Sequence, residues 1–113
     1  MTVAARKDVR PRGFNGFDPE AFAAGDAAGI ARSIDAMVSF NRGSAKTHSG
    51  IWRDLAVRKR KTEVDAQIGI IAAIGRGVGV PTPSLERLVA LIHAIEDGKR
   101  PLDWSTLDAM LGP

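Results

Sequence analysis

A carboxylate that follows a run of cations is the strongest candidate for chemistry in this 113-residue sequence. The carboxylate is Glu63, the cations occupy residues 58–61, and Thr62 between them is a predicted helix cap. Glu63 would then lie in the first turn of the helix, where the positive end of the helix dipole favours an ionised carboxylate. Glu63 could be a catalytic residue, but it also has a purely structural explanation, because a glutamate in the first turn stabilises its own helix.

The cationic run also has two explanations. Together with Arg53 it places five cations within nine residues, which could contact nucleic acid or the phosphate of a cofactor. Asp54, Glu63 and Asp65 dilute the positive charge, and no aromatic side chains are interleaved for stacking on bases. The pattern favours a solvated helix end over a nucleic-acid surface.

Other features that resemble functional sites are weaker. Gly75, Gly77 and Gly79 lack the Gly-x-Gly-x-x-Gly spacing of a dinucleotide loop, and they follow a predicted helix, so they indicate a helix end. His48 and His93 are far apart in the sequence, so a metal site has little support. We expect His93 on a helix surface or at the edge of the core.

Length and composition limit the classes of protein. A chain of 113 residues can form one domain with a core, but not a nucleotide-binding domain plus a substrate domain. The net charge of +3 is weak support for a polyanionic partner, and the absence of cysteine excludes disulfides and thiol catalysis. The apolar runs are too short to span a bilayer and no signal-peptide core is present, so we expect a cytoplasmic protein without membrane insertion.

The first half of the sequence predicts an extended lead-in and two helices. Residues 1–17 show no sustained period, so we expect an extended segment with Phe14 and Phe17 as anchors. Asp18 followed by Pro19 is a helix start, and a short helix over about 19–24 should follow. A longer helix ends near Gly43, and its apolar face is expected to consist of Ile30, Ile34, Met37 and Val38.

The second half predicts four more helices, over about residues 50–59, 62–75, 82–97 and 102–111. Thr62 and Asp65 resemble a capping box at the start of the second of these. The stripe of that helix that should face the core is Val64, Ile68, Ile71 and Ile74. Since no stretch alternates with period two, the sequence predicts an all-α fold, a single helical bundle-like domain of about five to six helices.

Three motifs in order resemble a known family. They are Ser49-Gly50-Ile51-Trp52-Arg53-Asp54, then Thr62-Glu63-Val64-Asp65, then Gly79-Val80-Pro81-Thr82-Pro83. This order is similar to the C-terminal helical domain of ketopantoate reductases (2-dehydropantoate 2-reductases), a fold like that of the C-terminal domain of 6-phosphogluconate-dehydrogenase-like enzymes. The resemblance covers about residues 45–97.

The resemblance implies roles for single residues. Glu63 matches the active-site glutamate that helps to hold the keto acid and the catalytic lysine, and Ser49 matches the serine that binds the substrate carboxylate. Asp54, Thr62 and Asp65 match structural positions of the motifs. The segment between Asp54 and Glu63 is one residue longer than the usual pattern, which leaves Gly50 as an alternative to Ser49.

The resemblance also implies a function for the domain as a whole. Residues 18–113 would be part of a substrate-binding and dimerisation-type domain of an NADPH-dependent oxidoreductase, which converts a small 2-keto acid to a 2-hydroxy acid. The Rossmann domain and the catalytic lysine of that family are not found in these residues, and Lys46 is too close to Glu63 to be that lysine. We therefore expect no NADPH binding and no turnover by this chain alone.

Partners follow from the same reasoning. The resemblance implies a nucleotide-binding domain or subunit, while apolar helix faces left uncovered would favour self-association. One alternative is a stand-alone helical interaction module that keeps the fold without the chemistry. Another is a basic nucleic-acid-binding module that uses Arg58 to Lys61, which steep salt dependence of DNA or RNA binding would support.

Overall fold

The computed structural model describes residues 1–45 and 48–111, and helices account for its regular structure. The seven α-helices of the described residues are α1 (Thr2–Arg6), α2 (Pro19–Ala24), α3 (Ala27–Arg42), α4 (Gly50–Arg53), α5 (Ile70–Gly77), α6 (Pro83–Glu96) and α7 (Trp104–Asp108). Two π-helical turns accompany them, Asp54–Arg58 after α4 and Asp65–Gly69 before α5. Because no strand forms in this part of the chain, the all-α prediction is confirmed.

The predicted lead-in is not extended throughout, because Thr2–Arg6 forms α1. The segment contains Ala4 and Ala5, which are strong helix formers, and the first proline comes only at Pro11. Val3 is buried, so packing adds to this local preference. The expectation of an extended start was wrong for these residues, because the Gly and Pro residues lie further along the segment.

The chain divides into two compact units, Met1–Thr47 and His48–Pro113. The assignment of residues 18–113 to one substrate and dimerisation-type domain stays a prediction. Across the described residues, no helix has both the length and the apolar character that crossing a membrane requires.

In the first unit, the buried hydroxyl of Ser33 in α3 holds the turn formed by residues 16–18. Ser33 Oγ accepts from the Asp18 backbone N–H at 2.9 Å and donates to the Gly16 carbonyl at 2.9 Å. Gly16 has φ +94°, and a Cβ there would lie 2.6 Å from the Ala36 carbonyl carbon. The lead-in is therefore held by close backbone contact, whereas the predicted anchor Phe14 is largely exposed.

The start of α2 follows the sequence prediction. Asp18 Oδ1 accepts from the Glu20 N–H at 3.1 Å, and Pro19 occupies the first position of α2. The face of α3 differs from the prediction, because Gly29 and Ser33 are buried while Ile34 and Val38 are exposed.

In the second unit, a π-helical turn changes which residues of α5 face the core. Val64 is fully buried, as predicted, but Ala72 and Gly75 are the buried residues further on, and Ile71 and Ile74 are exposed. The turn Asp65–Gly69 makes i to i+5 hydrogen bonds, which advances the helix phase by about one residue. The predicted stripe therefore fails beyond Ile68.

Helix α6 packs against this region and has the expected apolar face. Ile92 is buried, and Leu85, Leu88, Val89 and Ile95 are half-buried. Thr82 precedes Pro83 at the start of the helix as predicted, but its side chain makes no capping hydrogen bond. Its Oγ1 is buried and lacks a hydrogen-bond partner among the described residues.

Candidate functional site

An open cleft of about 440 Å³ lies at the start of the second unit, where α4 and the segment before α5 come together. Its lining is mostly polar or charged and consists of Gly50, Ile51, Asp54, Arg58, Arg60, Lys61, Glu63 and Gln67. Three cations face two carboxylates in this lining. The excess of positive charge favours a small anionic ligand.

Asp54 anchors the cationic side of the cleft. Its Oδ1 accepts from Arg58 Nη1 at 3.0 Å and from Arg60 Nε at 2.8 Å. The hydrogen bond from Arg58, and then that from Arg60, lower the pKa of Asp54 below its ordinary value. Because a guanidinium carries five N–H donors, both arginines keep donors for a ligand while Asp54 orients them.

The left-handed backbone conformation of Lys59 positions Arg60 beside Asp54. Lys59 has φ 51° and ψ 49° at the end of the π-helical turn Asp54–Arg58. The reversal lets the Arg60 N–H donate to the Asp54 carbonyl at 2.9 Å, so Arg60 contacts both the backbone and the side chain of Asp54. This conformation is unfavourable for lysine, because its Cβ crowds the following carbonyl.

Glu63 lies at the edge of the cleft with an exposed side chain. Its carbonyl accepts the first helical hydrogen bond, from the Gln67 N–H at 2.9 Å, so Glu63 is at the helix boundary and not inside the first turn.

Within residues 1–45 and 48–111, no hydrogen bond or ion pair uses the carboxylate of Glu63. The group is thus available to a ligand or to a partner.

Ser49 is placed one residue before the cleft lining. Its Oγ accepts from the Trp52 N–H at 3.1 Å and caps α4, while Gly50 lines the cleft directly. His48 stacks on Trp52 with ring centroids 3.7 Å apart. Lys46, which the sequence analysis rejects as the catalytic lysine, lies outside the described residues.

Thr62 and Asp65 do not complete a capping box with each other. Thr62 Oγ1 accepts from the Val64 N–H at 3.2 Å, which is the expected cap. The Thr62 N–H, however, donates to Glu96 Oε2 at 2.7 Å, and the Thr62 hydroxyl donates to the same oxygen at 2.6 Å. Glu96 from α6 therefore takes the part that the local pattern assigns to Asp65.

His93 connects Glu96 to Asp65. Its Nδ1 lies 2.6 Å from Glu96 Oε1, and its Nε2 lies 2.9 Å from Asp65 Oδ1. With a carboxylate at each ring nitrogen, the arrangement suits the doubly protonated imidazolium. We call Thr62, Asp65, His93 and Glu96 the α6 network.

The pKa values in the α6 network move in opposite directions. The hydrogen bond to Asp65, and then that to Glu96, raise the pKa of His93 above 6.5. Burial by itself raises the pKa of Glu96, but hydrogen bonds from the Thr62 hydroxyl, the Thr62 N–H and His93 outweigh it and lower that pKa to about 2. Both shifts in pKa favour the charged form of the group.

Glu96 was not among the residues that the sequence pattern predicted for a site, and His93 was predicted only at a helix surface or at the edge of the core. One signal was present, because an ionised glutamate in the last turn of a helix faces the negative end of the dipole and needs a compensating partner. The partner itself lies 34 positions away in sequence, so no local pattern identifies it. Across the described residues, no group of three or more His, Asp or Glu side chains is arranged so that it could hold a metal ion.

Comparison with known proteins identifies a family for the region that contains the cleft. The family model described as "Ketopantoate reductase PanE/ApbA C terminal" matches residues 14–96, which is more than half of the sequence. Searches of curated proteins and of solved structures gave no match. On the strength of the family match, the chain belongs to the ketopantoate reductase family, of which it represents the C-terminal domain.

Proposed function

We propose that this chain is the substrate-binding portion of an NADPH-dependent reductase that converts a small 2-keto acid to the 2-hydroxy acid. One observation carries the proposal. The exposed Glu63 carboxylate is without a partner among the described residues and lies in a cleft with Arg58, Arg60 and Lys61. Family membership supports the reaction class, because the matching domain is that of ketopantoate reductases.

In this proposal the cations bind the carboxylate of the keto acid. Arg58 and Arg60 are held by Asp54 and keep further N–H donors, while Lys61 adds a mobile charge. Ser49 is the family-based candidate for a further contact, although its hydroxyl already caps α4 and Gly50 is the residue that lines the cleft. In the motif that begins at Ser49, a ligand in the cleft would therefore contact the backbone at Gly50 before the Ser49 hydroxyl.

Glu63 then orients the other end of the ligand. Its carboxylate can accept a hydrogen bond from a hydroxyl of the substrate, such as that of ketopantoate, and from the ammonium of a lysine supplied elsewhere. Reduction of a ketone needs a fixed substrate and a proton donor near the developing alkoxide. Glu63 serves both needs as an orienting group and does not have to transfer a proton itself.

The residues that the structure describes do not fit a nicotinamide dinucleotide. Gly75 and Gly77 lie in the last turn of α5 and Gly79 has φ +75° in the turn that follows, whereas a dinucleotide cradle lies between a strand and a helix. We assign NADPH, the cofactor expected for the family, to a nucleotide-binding part on another chain or elsewhere in a longer one. That part is also the proposed source of the catalytic lysine.

The segment that follows Glu63 offers an exposed surface on which the nucleotide-binding part could dock. Ala66, Ile70 and Ile74 come after Glu63 in the chain and are exposed, and none of them is charged. Exposed apolar side chains on the segment that follows the proposed active-site residue fit a helix of the nucleotide-binding part. Docking there would bring a lysine to Glu63 and close the cleft.

The test is oxidation of NADPH with ketopantoate and related 2-keto acids, measured with the purified chain alone and with a nucleotide-binding domain of the family added. Turnover only with the added domain, lost in Glu63→Ala and kept in Glu86→Ala, is the expected result. Glu86 is a suitable control because it is exposed on α6 and pairs with Arg76 at 2.6 Å. Absence of turnover in a folded mixture would contradict the proposal.

A second candidate function is a stand-alone interaction module. The observation in its favour is the number of exposed apolar side chains at one end of the second unit, where Trp104 is 79% exposed and Leu111 is 91% exposed. Sedimentation velocity over a range of concentrations distinguishes the two. A stable dimer that binds neither ketopantoate nor the added domain would favour the module.

A further inference from the structure

Helix α6 holds the polypeptide on both sides of Glu63. Before it, Thr62 gives its backbone N–H and its hydroxyl to Glu96 Oε2, at 2.7 and 2.6 Å. After it, Asp65 Oδ1 lies 2.9 Å from His93 Nε2. Since His93 and Glu96 are themselves joined at 2.6 Å, one turn of α6 makes both contacts.

The contact on the Thr62 side is protected from water. Only 2% of the Glu96 side chain is exposed, and Val64, which follows Glu63, is fully buried. Each oxygen of the Glu96 carboxylate has a separate partner, Thr62 on one and His93 on the other. A buried carboxylate with charge-assisted hydrogen bonds keeps a single arrangement, because any other would leave the charge unpaired.

Glu63 has no comparable support of its own. Its carboxylate makes no hydrogen bond or ion pair within the described residues, and its side chain is exposed. Its place at the cleft is therefore set by the backbone on either side of it. A functional group of this kind depends on the residues that lock its neighbours.

From this geometry we infer that Glu96, supported by His93, is a positioning residue for Glu63. Glu96 fixes Thr62, His93 fixes Asp65, and together they set the direction in which Glu63 enters the cleft. The significance for ligand binding rests on the proposed function, whereas the mechanical coupling to residue 63 does not.

The location of Glu96 argues against a role limited to its own helix. It is the last residue of α6, where an ionised carboxylate faces the negative end of the helix dipole. Its charge is thus unfavourable for α6 and favourable for Thr62, which lacks any other acceptor for its N–H among the described residues. The arrangement serves the segment that carries Glu63.

The first test is a double-mutant cycle on ketopantoate affinity, measured by NMR titration of the full chain. Glu96→Gln and Glu63→Gln are each expected to weaken binding by about tenfold, since small displacements of an orienting group have effects of this size. Adding Glu96→Gln to Glu63→Gln should then change the affinity by less than about twofold, because the effect passes through residue 63. Glu86→Gln, on an exposed site of the same helix, should leave the affinity unchanged.

A loss of affinity of the same size in both backgrounds would overturn the inference, because it would mean that Glu96 acts on the whole site and not through Glu63. If the unaltered chain binds no ketopantoate, the proposed function fails for the isolated chain. The positioning inference is then decided by a second measurement that needs no ligand.

That measurement is the ¹⁵N order parameter of the Glu63 amide in the free chain. We expect it to fall from about 0.85 to below about 0.6 in Glu96→Gln and to stay unchanged in Glu86→Gln. An unchanged order parameter in folded Glu96→Gln would overturn the inference. Should Glu96→Gln fail to fold, His93→Gln gives the same test, because it removes the imidazole from Glu96 Oε1 and Asp65 Oδ1 and leaves the hydrogen bond from the Val64 N–H to Thr62 Oγ1 in place.

Discussion

Glu96 completes the helix cap of Thr62 from a distance of 34 residues in sequence. The Glu96 Oε2 atom accepts both the N–H and the hydroxyl of Thr62, so the helix that begins after Glu63 is capped in part by the end of α6. This relationship ties the start of one motif to the packing of another helix. It also makes the stability of the second unit depend on the protonation of a buried group.

We expect the folded state to lose stability in acid through Glu96. Its folded pKa is about 2 against an ordinary value of 4.5, so the stabilisation is present above pH 4.5 and is lost as the pH falls toward 2. Urea unfolding at a series of pH values should show this slope in the unaltered chain and a smaller slope in Glu96→Gln. Asp54 and Asp103, whose pKa values are also lowered, account for a remaining slope.

The opposite dependence is expected from His93. Its folded pKa lies above 6.5, so its contribution is complete below pH 6.5 and is lost as the pH rises through the folded pKa. An NMR titration of the imidazole should give a raised pKa in the unaltered chain. The pKa should move down toward its ordinary value in Asp65→Asn, since the hydrogen bond to Asp65 is the largest cause of the shift. A titration curve that Asp65→Asn leaves in place would contradict the contact of Asp65 with Nε2.

Replacement of Lys59 by glycine should stabilise the second unit. Lys59 has a left-handed backbone, which costs an ordinary side chain about 1 kcal/mol and glycine almost nothing. Thermal unfolding should therefore shift upward by a few degrees in Lys59→Gly. Lys61→Gly is the matched control, because it removes the same charge at a position without positive φ and should not stabilise the fold.

The buried hydroxyl of Thr82 provides a further prediction. Its Oγ1 has no hydrogen-bond partner among the described residues, so Thr82→Val removes a desolvated polar group and should stabilise the fold by about 1 kcal/mol. For a domain of this size that corresponds to an increase in melting temperature of about 4 °C. Thr106→Val is the contrasting variant, since the buried Thr106 hydroxyl donates to the Pro101 carbonyl at 2.6 Å and its loss should destabilise.

Asp54→Asn is expected to disturb the cleft more than the fold. An amide holds two guanidinium groups less firmly than a carboxylate, so Arg58 and Arg60 should lose their common orientation. Binding of a 2-keto acid should weaken in Asp54→Asn while the helical circular dichroism persists. Asp108→Asn, an exposed change on α7, serves as the control, and equal binding by the two variants would remove Asp54 from the proposed site.

Short sequence patterns were enough to predict the start of α2 and the family. Asp18 and Pro19 fix the start of α2 because a cap and a proline act within one turn, and the structure has that helix over Pro19–Ala24 as predicted. The ordered motifs around Asp54, Glu63 and Thr82 identified the family, which the match over residues 14–96 confirms. These signals are short in range, so one sequence is enough to read them.

The phase of α5 and the composition of the α6 network depend on contacts between residues that are distant in sequence. A π-helical turn advances the helix by about one residue after Val64, so Ala72 and Gly75 are buried in place of Ile71 and Ile74. Likewise, Glu96 meets Thr62 only because α6 packs beside the segment that leads into α5. Helical periodicity assumes a constant turn and neighbours within one element, and both assumptions fail where contacts between distant residues set the backbone.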